Sequence, residues 1–186
     1  MWPNAPAGAA FWVVRGGSFD WAPGSRFTYL FDRQTGLWRS GDFGQTWAHI
    51  WKKPSPPDMT GYVVADAARP GRVYVSAADG LFVLDRAESG TVESRVVRVT
   101  RVSGVSNPGA MTIDKSGFVF VARRSSSAAP AALFRGNDPK GPWIPVEDET
   151  YRFAAGFPNS IAAGPDGYIY VALNGNGLMA GSGKPK

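Results

Sequence analysis

The chain has 186 residues, of which 44% are hydrophobic and 19% are charged. This balance excludes global disorder, because it supplies enough apolar material for a packed core. Aromatic residues, glycine and proline are abundant while helix-forming runs are scarce, which predicts an all-β chain with many turns. The net charge is +5, but the basic residues are scattered, whereas a nucleic-acid interface gathers them in a dense stripe, so we expect no nucleic-acid partner.

The sequence contains no cysteine and a single histidine, His49. Disulfides, cysteine-based metal sites and a cysteine nucleophile are therefore excluded, and a histidine-based metal centre or a Ser-His-Asp triad would rest on His49 alone. We expect His49 to be structural and expect neither a metal nor a cofactor, since no glycine-rich phosphate loop precedes a helical pattern. No segment approaches the ~20 apolar residues of a membrane helix, and no signal peptide is visible, which leaves the localisation open.

Short runs of β-branched and aromatic residues, separated by Gly, Pro, Asp and Asn turns, predict four groups of strands. In chain order the groups are 10–15, 26–31, 36–40 and 47–51; 61–66, 72–77, 80–85 and 92–102; 110–114, 117–123, 131–135 and 143–147; and 159–164, 167–173 and 177–181. The segment GGSFDWAPG at 16–24 is predicted to be the loop between the first two strands, which places Asp20 and Trp21 in that loop.

The four groups are copies of one repeat. Aromatic residues of the second strand recur with spacings of 45, 46 and 50 residues, at Tyr29, Tyr74, Phe120 and Tyr170. Leucines of the following strand recur with spacings of 44, 52 and 45 residues, at Leu37, Leu81, Leu133 and Leu178. A period in the mid-forties built from short strands is typical of β-propeller blades. We predict one domain over 1–186, a partial propeller with blades near 10–51, 61–102, 110–147 and 159–181; a small closed ring, or a ring completed by a second copy, are the alternatives.

Residues 40–47, SGDFGQTW, fit the pattern S-x-D-x-G-x-T-W at every fixed position, namely Ser40, Asp42, Gly44, Thr46 and Trp47. An Asp side chain can accept hydrogen bonds from the backbone of a tight turn, and a glycine can take a positive φ there. We therefore interpret this segment as a structural turn and not as a catalytic centre. A degenerate copy, GNDPKGPW at 136–143, keeps the same separation between Asp138 and Trp143.

The motif resembles the Asp-box (BNR) repeat of sialidases, sortilin-type receptors, xyloglucanase-type glycoside hydrolases and photosystem-assembly propellers. The xyloglucanase-like and sortilin-like propellers are the most similar. In this family the box joins the third and fourth strands of a blade. The ending YIYVALNGNGLMAG at 168–181 looks like the closing blade of the xyloglucanase-like branch, with matches at Asn174, Gly175 and Gly177. The resemblance implies a C-terminal part of a longer, secreted or periplasmic protein.

Ligands of such propellers usually lie on the face opposite the box, lined by the second-to-third-strand and blade-to-blade loops. Cleavage of a glycosidic bond needs two carboxyl groups, for which the catalytic candidates on these loops are Asp58, Asp79, Asp148 and Glu149. The candidate binding residues on the same loops are Trp51, Arg123, Arg124, Tyr151, Arg152 and Asn174.

The resemblance implies a carbohydrate-interacting propeller, part of a glycoside-hydrolase-like protein that would act on polysaccharide with two carboxylates. We expect the chain by itself to show little or no hydrolysis. The alternative is a non-catalytic propeller that binds another protein, which the basic surface and the lack of an evident acidic pair favour. A non-functional gene fragment is the third possibility.

Overall fold

The computed structural model describes residues 18–182 except for residues 23, 33, 53–60, 95, 126–130, 147–157 and 175–176. Every regular element in this part of the chain is a β-strand. The strands are β1 (Ser18–Trp21), β2 (Thr28–Asp32), β3 (Gly36–Ser40), β4 (Ala48–Lys52), β5 (Tyr62–Ala65), β6 (Val73–Ala77), β7 (Gly80–Asp85), β8 (Arg98–Arg101), β9 (Pro108–Ile113), β10 (Val119–Arg123), β11 (Ala132–Gly136), β12 (Ile144–Pro145), β13 (Pro158–Ala163), β14 (Ile169–Leu173) and β15 (Gly177–Gly181).

The strands form four antiparallel sheets in which sequence neighbours pair: sheet A (β1–β4), sheet B (β5–β8), sheet C (β9–β12) and sheet D (β13–β15). The chain divides into two compact units. Unit 1 comprises residues 1–78 and 82–100, and unit 2 comprises residues 79–81 and 101–186.

In unit 1, the innermost strands of sheets A and B pack side by side. The link is a hydrogen bond of 2.8 Å from the backbone N–H of Ala65 in β5 to the carboxylate of Asp20 in β1. All five residues of β6, VYVSA, are buried, as expected for a strand covered on both faces. Phe31 and Leu37 of sheet A are likewise fully buried, so this core lies between the sheets.

Unit 2 repeats this arrangement with sheets C and D. The backbone N–H of Ala163 in β13 donates to Oγ1 of Thr112 in β9 at 3.2 Å. Thr112 faces Phe120 across its sheet as Asp20 faces Tyr29, so the two links occupy the same position of the repeat. An Asp carboxylate and a Thr hydroxyl thus accept equivalent hydrogen bonds between neighbouring sheets, because the backbone N–H needs only an oxygen acceptor.

Turns at one end of each sheet are held by aspartate side chains. We call the end that carries the first-to-second and third-to-fourth strand turns the box end, and the other the opposite end. In the first-to-second turns, Asp66 accepts from Ala68 and Arg69, Asp114 from Ser116 and Phe118, and Asp166 from Tyr168, all through backbone N–H groups at 2.8–3.2 Å. These bonds explain why short D-x-x turns separate the strands.

The all-β prediction and the order of the predicted strands are confirmed for the described residues, with strand ends differing by a few residues. The loop predicted at 16–24 is wrong. Ser18–Trp21 is a strand, β1, paired with β2 from Ser18 opposite Phe31 to Trp21 opposite Thr28. Turn-forming residues, Gly before the strand and Pro-Gly after it, flank this strand, and they led to the prediction of one continuous loop. The strand predicted at 10–15 lies outside the described residues, and the one-domain assignment of residues 1–186 stays a prediction.

Candidate functional site

The SGDFGQTW turn joins β3 to β4 and is held by its own side chains. The Asp42 carboxylate accepts from the Thr46 backbone N–H at 2.8 Å, from the Thr46 hydroxyl at 2.5 Å and from the Ser40 hydroxyl at 2.8 Å. Ser40 Oγ in turn accepts from the backbone N–H of Gly44 at 2.7 Å. Gly44 has a φ of 86°, which a side chain would disfavour.

These hydrogen bonds stabilise the ionised form of Asp42. They lower the pKa of this carboxyl to about 2, with the Thr46 hydroxyl as the main cause. A carboxylate with so low a pKa is a poor general acid or base near neutral pH. The structural role of the box stays a prediction.

Two further aspartates, Asp32 and Asp138, make similar contacts within their own turns. Asp32 accepts from the backbone of Gln34 and Thr35, and Asp138 accepts from that of Lys140, each at 2.8 Å. Asp85 pairs with Arg72 at 2.6 Å, and this carboxylate raises the pKa of the guanidinium. Within the described ranges, no group of three or more His, Cys, Asp or Glu side chains could hold a metal ion.

The structure gives His49 a packing role. Its ring stacks on Trp38 with centroids 4.2 Å apart, and its Nε2 lies 2.9 Å from the Thr35 carbonyl oxygen. Since a carbonyl only accepts, Nε2 carries the proton. Trp51, a predicted binding residue, is half-buried, with its ring centroid 5.1 Å from that of Phe82 and 6.5 Å from that of Phe31.

Two of the predicted binding residues, Arg123 and Arg124, lie at the opposite end of sheet C in unit 2. The Arg123 guanidinium lies 5.0 Å from the centroid of the Phe134 ring. Arg124 is fixed through its backbone, because its N–H donates to the Asn107 carbonyl and its own carbonyl accepts from Asn107 Nδ2, both at 3.0 Å. Asn107 itself adopts a φ of +47° to do this.

Arg101 is the last residue of β8, at the opposite end of sheet B, and the short segment 102–107 leads from it into β9 of sheet C. Its Nη2 donates to the carbonyl oxygen of Asp79, the one catalytic candidate that the structure describes. A Cβ at Gly80 would lie 2.8 Å from Arg101 Nε, so any residue other than glycine at this position would displace the guanidinium. We call Arg101, Arg123 and Arg124 the basic end of unit 2.

The remaining predicted site residues are not brought together by the described structure. Asn174 is exposed in the turn between β14 and β15. Five predicted residues lie outside the described ranges: Asp58, Asp148, Glu149, Tyr151 and Arg152.

The sequence reading missed two clefts, both at the box end. In unit 1 a cleft of about 330 Å³ lies between the 22–29 and 65–72 segments, with Glu88 on its wall. Burial and Glu88 raise the pKa of Tyr29 in this cleft to about 12. In unit 2 a cleft of about 400 Å³ lies between the 114–116 and 163–169 segments and includes Arg135. For the cleft of unit 2, the sequence signal was an arginine that recurs at one position of the repeat, since Arg39 faces Tyr29 as Arg135 faces Phe120.

Comparison with solved structures identifies the fold. Over 89% of its length the chain superposes on "YCF48 bound to D1 peptide" with a TM-score of 0.56 and 14% identity, covering 50% of that protein. Ycf48 from Cyanidioschyzon merolae gives a TM-score of 0.55 and 14% identity, with 92% of this chain and 55% of that one covered. The chain is built of β-propeller blades. It spans about half the length of these two propellers.

A xyloglucanase of glycoside hydrolase family 74 from Xanthomonas campestris shares 20% identity over 88% of this chain and 29% of its own, but with a TM-score of 0.45. No protein family and no curated protein matches the sequence. The propeller part of the predicted resemblance is thus confirmed, and its assignment to the Asp-box family stays a prediction. In the described residues, no helix is long and apolar enough to cross a membrane.

Proposed function

We propose that this chain is part of a non-catalytic propeller that binds an acidic segment of a partner protein at the basic end of unit 2. The observation that carries the proposal is the placement of Arg123 and Arg124 at the opposite end of sheet C, where bonds from Asn107 hold the chain after β10 and the segment after Arg101 leads into β9. Arginine suits this task because its planar guanidinium pairs with carboxylates in a bidentate manner. The net charge of +5 would also favour the approach of an acidic partner.

The distribution of the carboxylates supports the same proposal. Hydrolysis of a glycosidic bond needs a pair of carboxyl groups that are free to exchange protons with the substrate. Asp42, Asp66 and Asp114 instead accept hydrogen bonds from the backbone of their own turns. A peptide-bound structure of Ycf48, a protein with similar blades, agrees with peptide binding on this fold.

Carbohydrate binding, which the sequence resemblance implies, is the competing function. It would use Trp51 as a stacking platform, but the contacts of that ring with Phe31 and Phe82 engage it in packing within unit 1. The catalytic form of this function would in addition require a second carboxylate beside Asp79, from among Asp58, Asp148 and Glu149.

The test measures binding of a fluorescein-labelled peptide of alternating Glu and Ser, with a Gln-Ser peptide as the neutral probe. We expect the Glu peptide to bind more tightly, and the double variant Arg123→Gln/Arg124→Gln to lose at least about tenfold in affinity, or about 1.4 kcal/mol. The matched control is Arg98→Gln/Lys140→Gln, which removes the same charge from exposed residues at the box end. It should lose far less.

Equal losses in the two double variants would contradict the proposal, because they would show a nonspecific effect of charge. A second assay follows the release of reducing ends from xyloglucan and from cello-oligosaccharides. We expect no turnover. Turnover by the wild-type chain that disappears in Asp79→Asn would overturn the proposal in favour of the hydrolytic function.

A further inference from the structure

The cleft of unit 2 lies at the box end, away from the basic end that the proposed function uses. Its walls are the first-to-second strand turns of sheets C and D, and Arg135 of β11 lies among the lining residues. Its volume of about 400 Å³ falls in the range of small-molecule sites, about 300–1,000 Å³. We define this cleft by Asp114, Lys115, Arg135, Asp166 and Tyr168.

Arg135 is the notable group in the cleft. Its guanidinium carbon lies 3.5 Å from the centroid of the Phe118 ring, which is a close cation–π contact. Its Nε is buried and has no hydrogen-bond partner among the described residues. A guanidinium is always charged, and a buried donor without an acceptor is unfavourable, so this site favours an oxygen ligand.

The repeat shows what such an arginine ordinarily contacts. Arg39 occupies the equivalent position in sheet A of unit 1, with its guanidinium carbon 5.2 Å from the centroid of the Phe27 ring. There Nη1 donates to the carbonyl oxygen of Ala87 at 3.0 Å, in the turn that follows β7. Unit 1 therefore supplies an oxygen acceptor from its own backbone. Arg135 has the equivalent aromatic partner, Phe118, and its buried Nε has no hydrogen-bond acceptor in the described part of unit 2.

The two aspartates that line the cleft are engaged by their own turns. Asp114 accepts from the backbone of Ser116 and Phe118. Asp166 accepts from the Tyr170 hydroxyl at 2.6 Å, and this bond lowers the pKa of Asp166. Both carboxylates are thus hydrogen-bonded from within their turns, while Lys115 and Arg135 supply positive charge. The Tyr168 side chain, which is 48% exposed, adds an accessible aromatic ring.

We propose that this cleft is a binding site for a small carboxylate-bearing molecule. One carboxylate oxygen accepts from Arg135 Nε–H and the other from the adjacent guanidinium N–H, the bidentate arrangement that carboxylates form with arginine. Lys115 adds a second cation, and the body of the ligand packs against the ring of Tyr168. The site is separate from the basic end and does not depend on the peptide-binding function.

The test titrates the full chain with D-glucuronate and with N-acetyl-L-glutamate, and uses D-glucose as the neutral control. The readout is the ¹⁵N–¹H resonance of Arg135 Nε–H together with the amides of residues 114–116 and 164–168. We expect at least one acid to shift these signals saturably and D-glucose to leave them unchanged. Binding of glucuronate alone would identify a sugar acid as the ligand class, and binding of N-acetylglutamate alone an acidic amino acid.

Arg135→Gln should weaken acid binding by at least tenfold. The matched control is Arg39→Gln, which removes the equivalent stacked arginine from unit 1 and should leave acid binding unchanged. Arg123→Gln/Arg124→Gln should also leave it unchanged, which separates this site from the peptide site. The Nε–H signal of the wild-type chain provides the test even if Arg135→Gln fails to fold.

Three results would overturn the proposal. The first is that neither acid shifts the Arg135 Nε–H resonance. The second is an equal response to D-glucose, since the carboxylate would then not be the recognised group. The third is a folded Arg135→Gln variant that binds the acids with unchanged affinity.

Discussion

The turns at 40–47 and 136–143 join the third and fourth strands of sheets A and C, and both separate an Asp from a Trp by five residues. Their stabilising contacts differ. In the first turn, Asp42 and Ser40 together accept hydrogen bonds from the backbone of residues 42, 44 and 46. In the second, the Asp138 carboxylate accepts from the Lys140 N–H at 2.8 Å, and glycine occupies the position of Ser40.

The burial of the tryptophan differs in the opposite sense, because it is greater in the second turn than in the first. The Trp143 ring lies so close to Gly136 that a Cβ there would be 2.6 Å from a ring atom, and only 9% of Trp143 is exposed. Trp47 is only half-buried, beside a turn that keeps its serine. Each indole still donates to a turn carbonyl at 3.1 Å. The comparison shows that the same Asp–Trp spacing can be stabilised by side-chain hydrogen bonds or by burial of the indole on a glycine.

The largest effect is expected for Trp143→Ala. Removing this buried indole should lower the free energy of unfolding by about 3–5 kcal/mol, because it leaves a cavity against Gly136. The matched variant Trp47→Ala removes a half-buried ring and should lower it by only about 1–2 kcal/mol. Urea denaturation followed by circular dichroism measures both. Equal losses would mean that the two turns rely on packing to the same extent.

The next largest effect is expected for Gly136→Ser, which restores the serine of the complete motif. The new Cβ would collide with the Trp143 ring, and this overpacking should lower the free energy of unfolding by about 1–3 kcal/mol. The reverse change, Ser40→Gly, removes the acceptor for Gly44 N–H. It should lower the free energy of unfolding by about 1–2 kcal/mol. An increase in stability for Gly136→Ser would show that the ring moves aside and that the box is restored.

Asp42→Ala should lower the unfolding temperature by about 5 °C, because it removes the acceptor of three hydrogen bonds. Asp138→Ala removes the acceptor for Lys140 N–H and should lower it by about 2 °C. Differential scanning calorimetry of the two variants gives the comparison directly. A larger loss for Asp138→Ala would contradict the assignment of hydrogen bonding to the first turn.

The contacts that could be predicted from the sequence are those between residues that lie only a few positions apart along the chain. Ser40, Asp42 and Thr46 bond to one another across four residues or fewer, so a local motif specifies them. The strand order could be predicted from the repeat period, because within each sheet the strands pair with their neighbours in sequence. The loop wrongly assigned to 16–24 shows the limit of this approach, because Gly and Pro mark turns without showing how short a strand between them can be.

The clefts could not be predicted in this way. The contact of Arg39 with Ala87 spans 48 residues, and the position of Arg135 over Phe118 depends on the register between β10 and β11. Register and sheet-to-sheet packing are set by many distant contacts together. Arginines at equivalent repeat positions were visible in the sequence, but only the structure shows that one has a backbone acceptor and that the Nε of the other lacks a partner in the described residues.

The smallest effect on stability is expected from lowering the pH, which tests the contribution of the negative charge of Asp42. Hydrogen bonds lower the pKa of this carboxyl from its ordinary 3.8 to about 2 in the folded chain. A depressed pKa in the folded state means that the unfolded chain binds the proton more readily. The contribution of Asp42 to stability is therefore fully present above about pH 4 and is lost as the pH falls through 2.

The unfolding free energies of the wild-type chain and of Asp42→Asn, measured in urea between pH 7 and pH 2, should therefore differ most near neutral pH. Their difference should shrink as the pH falls below about 4, because protonation removes the charge that the asparagine already lacks. An NMR titration of the Asp42 carboxyl should give a midpoint near 2. A midpoint close to 4, or a difference between the two chains that does not change with pH, would show that Asp42 holds the turn by hydrogen bonds that its neutral form makes equally well.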